Sequence, residues 1–239
     1  MMTYLWTMCL IVIAHNASAK FPLVIAANRD ELYARPTRPA HVWEDDPRVI
    51  GGRDLRAGGS WLALRRGWRF AAITNVRGVG REEGGPSRGL LVADFVRGDD
   101  APMDYARSIR GEEYAGFHLI VGDGDVVHFS NDGGEPELID GVFAISNGRP
   151  GTRWPKVDLA RDFLAGALDR HATADALAND LLRFLSTSRG TAIDGEVFVT
   201  SEKYGTRSST VIIGDTLFVE QNYGPRGVPD GAATRFRLP

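Results

Sequence analysis

A chain of 239 residues with 43% hydrophobic content is long and apolar enough for one sizeable core, and nothing in it forces a division into domains. A formal charge of −3 supplies no field that would gather nucleic acid or an anionic membrane, and a single cysteine excludes an intramolecular disulfide framework. No Cys/His cluster has the spacing of a structural zinc site, no motif points to a cofactor, and this cysteine usage suits a reducing, cytoplasmic compartment.

Two apolar runs, 8–14 and 21–27, separated by a polar segment, read as a buried β-hairpin. Cys9 leads the first strand and Asn28-Arg29-Asp30-Glu31 closes the second, so an antiparallel return brings a thiol close to an arginine and a carboxylate. The opening also resembles a signal peptide, with apolar residues 5–14 before Ala17-Ser18-Ala19. The positive leader is missing, however, because no Lys or Arg precedes Lys20. No other apolar run approaches the roughly 20 residues that span a bilayer, so stable membrane insertion is not expected.

Residues 32–56 hold Pro36, Pro39 and Pro47 among charges, which suits an irregular surface segment. Gly51-Gly52 and Gly58-Gly59 imply tight turns or close backbone approach. They do not form a phosphate loop, since no Gly-Lys-Ser/Thr follows. Residues 61–65 and 68–74 flank Arg66-Gly67 as a hairpin whose return strand delivers Asn75 to its far end. Two short helices follow, over 90–97 and 102–110.

The runs 117–121 and 126–129 flank a turn at Asp123-Gly124. With that turn His118 pairs across from Phe129 and His128 from Leu119, so the histidines point to opposite faces and share no metal. The aspartates of 122–125 are turn residues, the rest of a calcium loop being absent. A strand over 142–146 ends at Asn147, which reads either as a turn residue tolerant of positive φ or as a site amide. Val157, Leu159, Ala160, Phe163, Leu164, Ala167 and Leu168 have the spacing of an amphipathic helix, and Thr173 opens another. Strands over 197–200, 208–213 and 216–221 and a loosely held tail, 224–239, close the chain.

Hairpin-joined strands make antiparallel sheets, and helices with one apolar stripe must cover a sheet face. An α+β sandwich is expected as a single domain over 8–223, with 1–7 as an N-terminal extension. Polar residues at predicted strand ends, Arg29, Asp30, Asn75 and Asn147, then converge on Cys9. On residue chemistry alone two readings stay open for Cys9, a small buried hydrophobe or a nucleophile, and two for Arg29-Asp30, a hairpin ion pair or a site. His15, His41 and His171 are ordinary polar residues. Trp61, Trp68 and Phe70 form core or groove wall.

Ala27-Asn28-Arg29-Asp30-Glu31 resembles the signature of the NRDE family, which includes transport and Golgi organisation proteins. Further matches are Gly51-Gly52-Arg53-Asp54, Gly58-Gly59-Ser60-Trp61-Leu62, Thr74-Asn75-Val76-Arg77, Ser87-Arg88-Gly89, Gly116-Phe117-His118-Leu119, Ser146-Asn147, Trp154-Pro155-Lys156 and Tyr204-Gly205-Thr206-Arg207-Ser208. Members usually begin Met-Cys. Here seven residues precede Met8, and Gly151 stands where an acidic residue is common.

That family is in turn similar to cysteine N-terminal nucleophile hydrolases of the bile-salt hydrolase and penicillin acylase type. This second resemblance implies a four-layer αββα sandwich and hydrolysis of an amide C–N bond in an unknown small molecule. It makes Cys9 the nucleophile, Arg29 and Asp30 a charged pair, Asn75 an oxyanion-hole residue, Asn147 a second site asparagine and Arg207 a late site arginine. The family resemblance also implies an alternative, a non-catalytic carrier of an apolar ligand such as haem or an acyl-CoA, walled by Trp61, Trp68 and Phe70.

Overall fold

The computed structural model describes residues 8–80, 85–190 and 195–238, the side chain of Arg77 excepted. The expected N-terminal extension, 1–7, lies outside the described residues. In chain order come β1 (Leu10–His15), β2 (Leu23–Leu32), β3 (Thr37–Val42), β4 (Val49–Asp54), β5 (Leu62–Arg65) and β6 (Arg69–Gly80). Helices α1 (Arg88–Arg97) and α2 (Pro102–Ser108) follow, then β7 (Ala115–Asp123), β8 (Asp125–Ser130), β9 (Glu137–Leu138) and β10 (Gly141–Ile145). Helices α3 (Pro155–Arg170) and α4 (Ala174–Leu185) precede β11 (Tyr204–Ile213), β12 (Leu217–Asn222) and β13 (Thr234–Arg237).

These strands form two antiparallel sheets, one in the order β10-β1-β2-β11-β12-β13 and one in the order β3-β4-β5-β6-β7-β8-β9. Alternation along β1 fixes the layers. Leu10, Val12 and Ala14 pack with Ala160, Leu164 and Leu181 of α3 and α4, whereas Ile11 and Ile13 meet Ile50, Leu64, Phe70 and Ile120 of the second sheet. The far face of that sheet, with Ala63, Ala71, Phe117 and Leu119, is covered by Leu91, Val92 and Phe95 of α1 and Ala106 of α2. The four layers are those of an αββα sandwich. Because β1 is covered on both faces, its sequence reads as one unbroken apolar run. The helices are amphipathic to match, and Thr173 caps α4 by accepting from the Ala176 amide at 3.3 Å.

Several local expectations are corrected. The proline-bearing stretch 32–56 carries β3 and β4. Its Pro39 is tolerated because β3 is a sheet edge with a register shift between Arg38 and His41, where a ladder donor is not needed. The turn between β5 and β6 includes Trp68, whose φ of 80° follows that of Gly67 at 93°. Strand β6 then runs five residues beyond Asn75. Residues 197–200 form no ladder. Instead the Val197 carbonyl accepts from Asn28 Nδ2 at 2.8 Å and the Val199 amide donates to Thr206 Oγ1 at 3.0 Å. The tail 224–239 is not loosely held throughout, since β13 pairs with β12 from Leu217↔Arg237 to Glu220↔Thr234 and Phe236 packs on Phe218.

The histidine pair is the clearest correction. The turn is one residue tighter than expected, with Asp123 opposite Asp125 and Gly124 at its apex with φ of 81°. His118 therefore pairs with Ser130 and His128 with Ile120, and both rings face one side, as a one-residue change of register demands. His118 Nδ1 and His128 Nε2 lie 3.0 Å apart. Among the described residues no group of three or more His, Cys, Asp or Glu is placed to hold a metal ion, and no helix is long and apolar enough to cross a membrane.

Candidate active site

The register Leu10↔Asn28 sets the start of β1 beside Arg29 and Asp30 of β2. Cys9 Sγ accepts from the Asp30 amide at 3.4 Å and lies 3.7 Å from the Asp30 carbonyl. Three further residues hold the adjoining backbone. Ser146, after β10, donates its hydroxyl to the Cys9 carbonyl at 2.6 Å. Tyr204, at the start of β11, accepts from the Met8 amide at 3.1 Å, and Lys156, in the first turn of α3, donates from Nζ to the Met8 carbonyl. Met8 and Lys156 are both buried.

Asp30 is strongly altered by its surroundings. Thr206 donates to its Oδ1 at 2.7 Å, while Oδ2, also buried, has no hydrogen-bond partner among the described residues. Burial pushes its carboxyl up to about 7, against the opposing pull of Lys156, Thr206 and Arg29. Burial likewise pushes the Cys9 thiol up to about 12, and the Asp30 charge adds to the rise. The Asp30 amide, Arg29 and Lys156 act the other way. A thiol in that state is protonated at neutral pH and needs a base to react.

In front of Cys9 lies a cleft of about 140 Å³, lined by Cys9, Arg29, Asp30, Glu31, Trp61, Asn75 and Arg88 among others. Arg29 reaches Thr37 Oγ1 at 3.2 Å and Glu31 at 3.9 Å. Asn28, the residue between the hairpin's apolar run and Arg29, is a structural clamp. Its Nδ2 donates to the carbonyls of Leu185 and Val197, both at 2.8 Å, and its Oδ1 accepts from Ser209 at 2.6 Å.

Asn75 and Asn147 are brought together, but differently from one another. Asn75 lines the cleft from β6, and its backbone carbonyl accepts from Asn147 Nδ2 at 2.7 Å. Asn147 is not among the cleft-lining residues, has no positive φ, and carries a buried Oδ1 without a hydrogen-bond partner among the described residues. It reaches the cleft through Asn75. Ser146 and Asn147 thus join the two sheets, the first at Cys9 and the second at Asn75, and Thr74 Oγ1 adds a bond to the Ser146 carbonyl at 3.2 Å.

Arg207 stands apart from the thiol. Its Nη1 donates to the carbonyls of Leu32 and Tyr33 at 3.2 and 2.7 Å, and it lines a neighbouring groove of about 120 Å³ that shares Arg29, Thr37 and Trp61 with the cleft. Of the three aromatic residues expected as walls, Trp61 lines the cleft, Phe70 is buried between the sheets and Trp68 packs against that core.

Residue chemistry alone did not single out Lys156, Tyr204, Thr206, Ser146 or Arg88, although all five fall in segments that resemble the NRDE family. A further signal was present for Lys156. The buried stripe of α3, Ala160, Leu164 and Ala167, extends backwards by four residues onto it, so a lysine occupies a core position.

Comparison with known proteins identifies a family and likenesses of fold. The profile of a family described as Transport and Golgi organisation 2 matches residues 8–223. The chain is 32% identical to a Transport and Golgi organization protein 2 homolog of Bos taurus, with 82% of this chain and 83% of that protein covered. Its identity to the Homo sapiens homolog is 30% over the same shares. Among solved structures it is similar to a mutant conjugated bile acid hydrolase of Clostridium perfringens, with a TM-score of 0.56, 7% identity, and 96% and 92% of the two chains covered. It is also similar to a Caenorhabditis elegans ortholog of N-acylethanolamine-hydrolyzing acid amidase, with a TM-score of 0.54, 14% identity, and 97% and 100% covered. At such identities the likeness is one of fold.

Proposed function

We propose, from the premise that this chain belongs to the Transport and Golgi organisation 2 family, that it hydrolyses the amide C–N bond of a small molecule with Cys9 as an N-terminal nucleophile. The observation that carries the reading is Asp30 Oδ2, a buried acceptor with no hydrogen-bond partner among the described residues, in a carboxyl group whose charge acts on the Cys9 thiol. A buried carboxylate oxygen is costly to leave unsatisfied, and an α-ammonium group on Cys9 is a donor of the right charge.

Loss of residues 1–8 frees that α-amine. An α-amine with a pKa near 7.7–8.0 is partly neutral at pH 7 and takes the proton from its own thiol, so no histidine is required. The thiolate adds to the substrate carbonyl, forming an S–C bond, and the oxygen takes the electron pair. Asn75, lining the cleft, offers an amide donor to that oxyanion. Collapse breaks the C–N bond, and the α-ammonium returns its proton to the departing amine. Water then cleaves the thioester and regenerates the thiol. Arg29 favours the thiolate, Asp30 orients the amine, and Asn147 holds Asn75. Arg207 belongs to the neighbouring groove and orders the end of β2.

The carrier reading, for haem or an acyl-CoA, asks for apolar walls, and the cleft supplies two such side chains, Trp61 and Ile73, among mainly charged and polar ones. A free thiol at Cys9 suits a reducing, cytoplasmic setting. The test is an electrophilic acyl probe applied to the natively expressed protein and to Cys9→Ala. Labelling lost in the variant supports the nucleophile, and unchanged labelling removes it.

A further inference from the structure

Among the described residues, the arginines that line the cleft pair with carboxylates until one remains. Asp54 takes Arg35, through Nε at 2.9 Å and Nη2 at 2.6 Å, and also accepts from the amides of Arg56 and Ala57. Glu31 sits 3.7 Å from Arg35 and 3.9 Å from Arg29. Arg53 turns away to Asp45, at 2.5 and 2.7 Å, and lies over the Trp43 ring. Arg88 has no carboxylate within ion-pairing distance among the described residues. Its single hydrogen bond there runs from Nη1 to the Gly116 carbonyl at 2.8 Å.

Arg88 is nevertheless held in place. It begins α1, and the next residue, Gly89, accepts from the Ser60 amide at 3.0 Å. Gly59 approaches Gly89 so closely that a Cβ on Gly59 would stand 2.3 Å from the Gly89 carbonyl. Burial disfavours the Arg88 charge and Arg35 adds to that, while Cys9 and Glu31 act in its favour. A half-buried guanidinium with open donors, fixed at the rim of a cleft that contains a thiol, lacks only an anion. Its planar fork matches a carboxylate or a phosphate in two bonds at once.

We infer that Arg88 is the anion-binding residue of this cleft, so that the molecule presented to Cys9 carries a carboxylate or phosphate group close to the bond that is cleaved. This deepens the nucleophile reading and rests on it for the identity of the attacking group. It does not rest on it for the binding of the anion.

The test uses two reagents that deliver nearly the same carbon with different charge. Iodoacetate and iodoacetamide each form an S–C bond with the Cys9 thiolate and release iodide. In the natively expressed protein iodoacetate labelling should saturate with concentration and be slowed by competing acetate or inorganic phosphate, the stronger competitor naming the anion class. Arg88→Gln should slow iodoacetate about tenfold, the scale of one charge-assisted hydrogen bond, and leave iodoacetamide within about twofold. Arg88→Lys should recover part of the loss. Equal slowing of both reagents, or of neither, overturns the assignment while the nucleophile reading stands. If neither reagent labels Cys9, the nucleophile reading falls, and the anion site is judged in Cys9→Ala. There, thermal stabilisation by acetate or phosphate that disappears with Arg88→Gln supports it, and no stabilisation overturns it.

Discussion

The side-chain amide of Asn147 donates to the backbone carbonyl of Asn75 at 2.7 Å, from the connection after β10 in one sheet to the middle of β6 in the other. Asn75 is the residue of the second sheet that faces the thiol's cleft with an amide, so a contact between sheets sets its position. On sequence alone Asn147→Asp spares the fold and impairs the site, because aspartate keeps the shape and the tolerance for turns but replaces a donor amide with an anion. The structure predicts a cost in stability as well. Aspartate removes the donor and sets a buried anion against a carbonyl, which should cost about 2 kcal/mol or more, read as a lower denaturant midpoint with an unchanged m-value. Cys9 labelling by an acyl probe should fall with it, through the displaced Asn75.

Asp30 and His118 should bend the pH dependence of stability in opposite directions. Asp30 has its carboxyl raised from 3.8 to about 7, so between those values the folded state holds a proton that the unfolded state has released. Stability from this group is present at low pH and is lost as pH rises through that window. His118 is lowered by burial from 6.5 to about 4, and there the unfolded state takes up the proton first, so stability is lost as pH falls. In a chain that retains Met8, urea unfolding between pH 4 and 8 should therefore show a rising curve in Asp30→Asn, where the histidine slope is left, and a falling one in His118→Gln. Above pH 7 Asp30→Asn in that chain should be more stable than its parent, since it removes a buried carboxylate that no α-ammonium partners. Parallel curves in the two variants would contradict the assignment.

Gly59→Ala tests how the cleft rim is held. Gly59 has φ of 74°, which disfavours a side chain, and its Cβ would collide with the Gly89 backbone rather than with a movable side chain. The start of α1 must shift to admit it, at a cost of about 2 kcal/mol or more. Arg88 should move with it, so thermal melting falls and iodoacetate loses its preference over iodoacetamide.

That helices cover antiparallel sheets was legible because hairpins join the strands and the helices carry a single stripe, while the four layers were implied only by the family resemblance. The meeting of Cys9 with Arg29 and Asp30 was legible because a hairpin pairs its two far ends. The facing of His118 and His128 was not, since an Asp-Gly pair marks a turn without fixing how many residues it contains, and one residue reverses every side chain. Strands β3 and β4 were hidden by prolines that an edge strand accommodates. The part played by Lys156 depends on the approach of α3 to residue 8, a tertiary contact that local composition does not encode.

The central claim is that Cys9 works with its own α-amine, and an intact mass of the natively expressed protein tests it most directly. The account predicts a chain that begins at Cys9. A mass that retains Met8 leaves that nitrogen in a peptide bond, without basicity, and contradicts the N-terminal nucleophile reading.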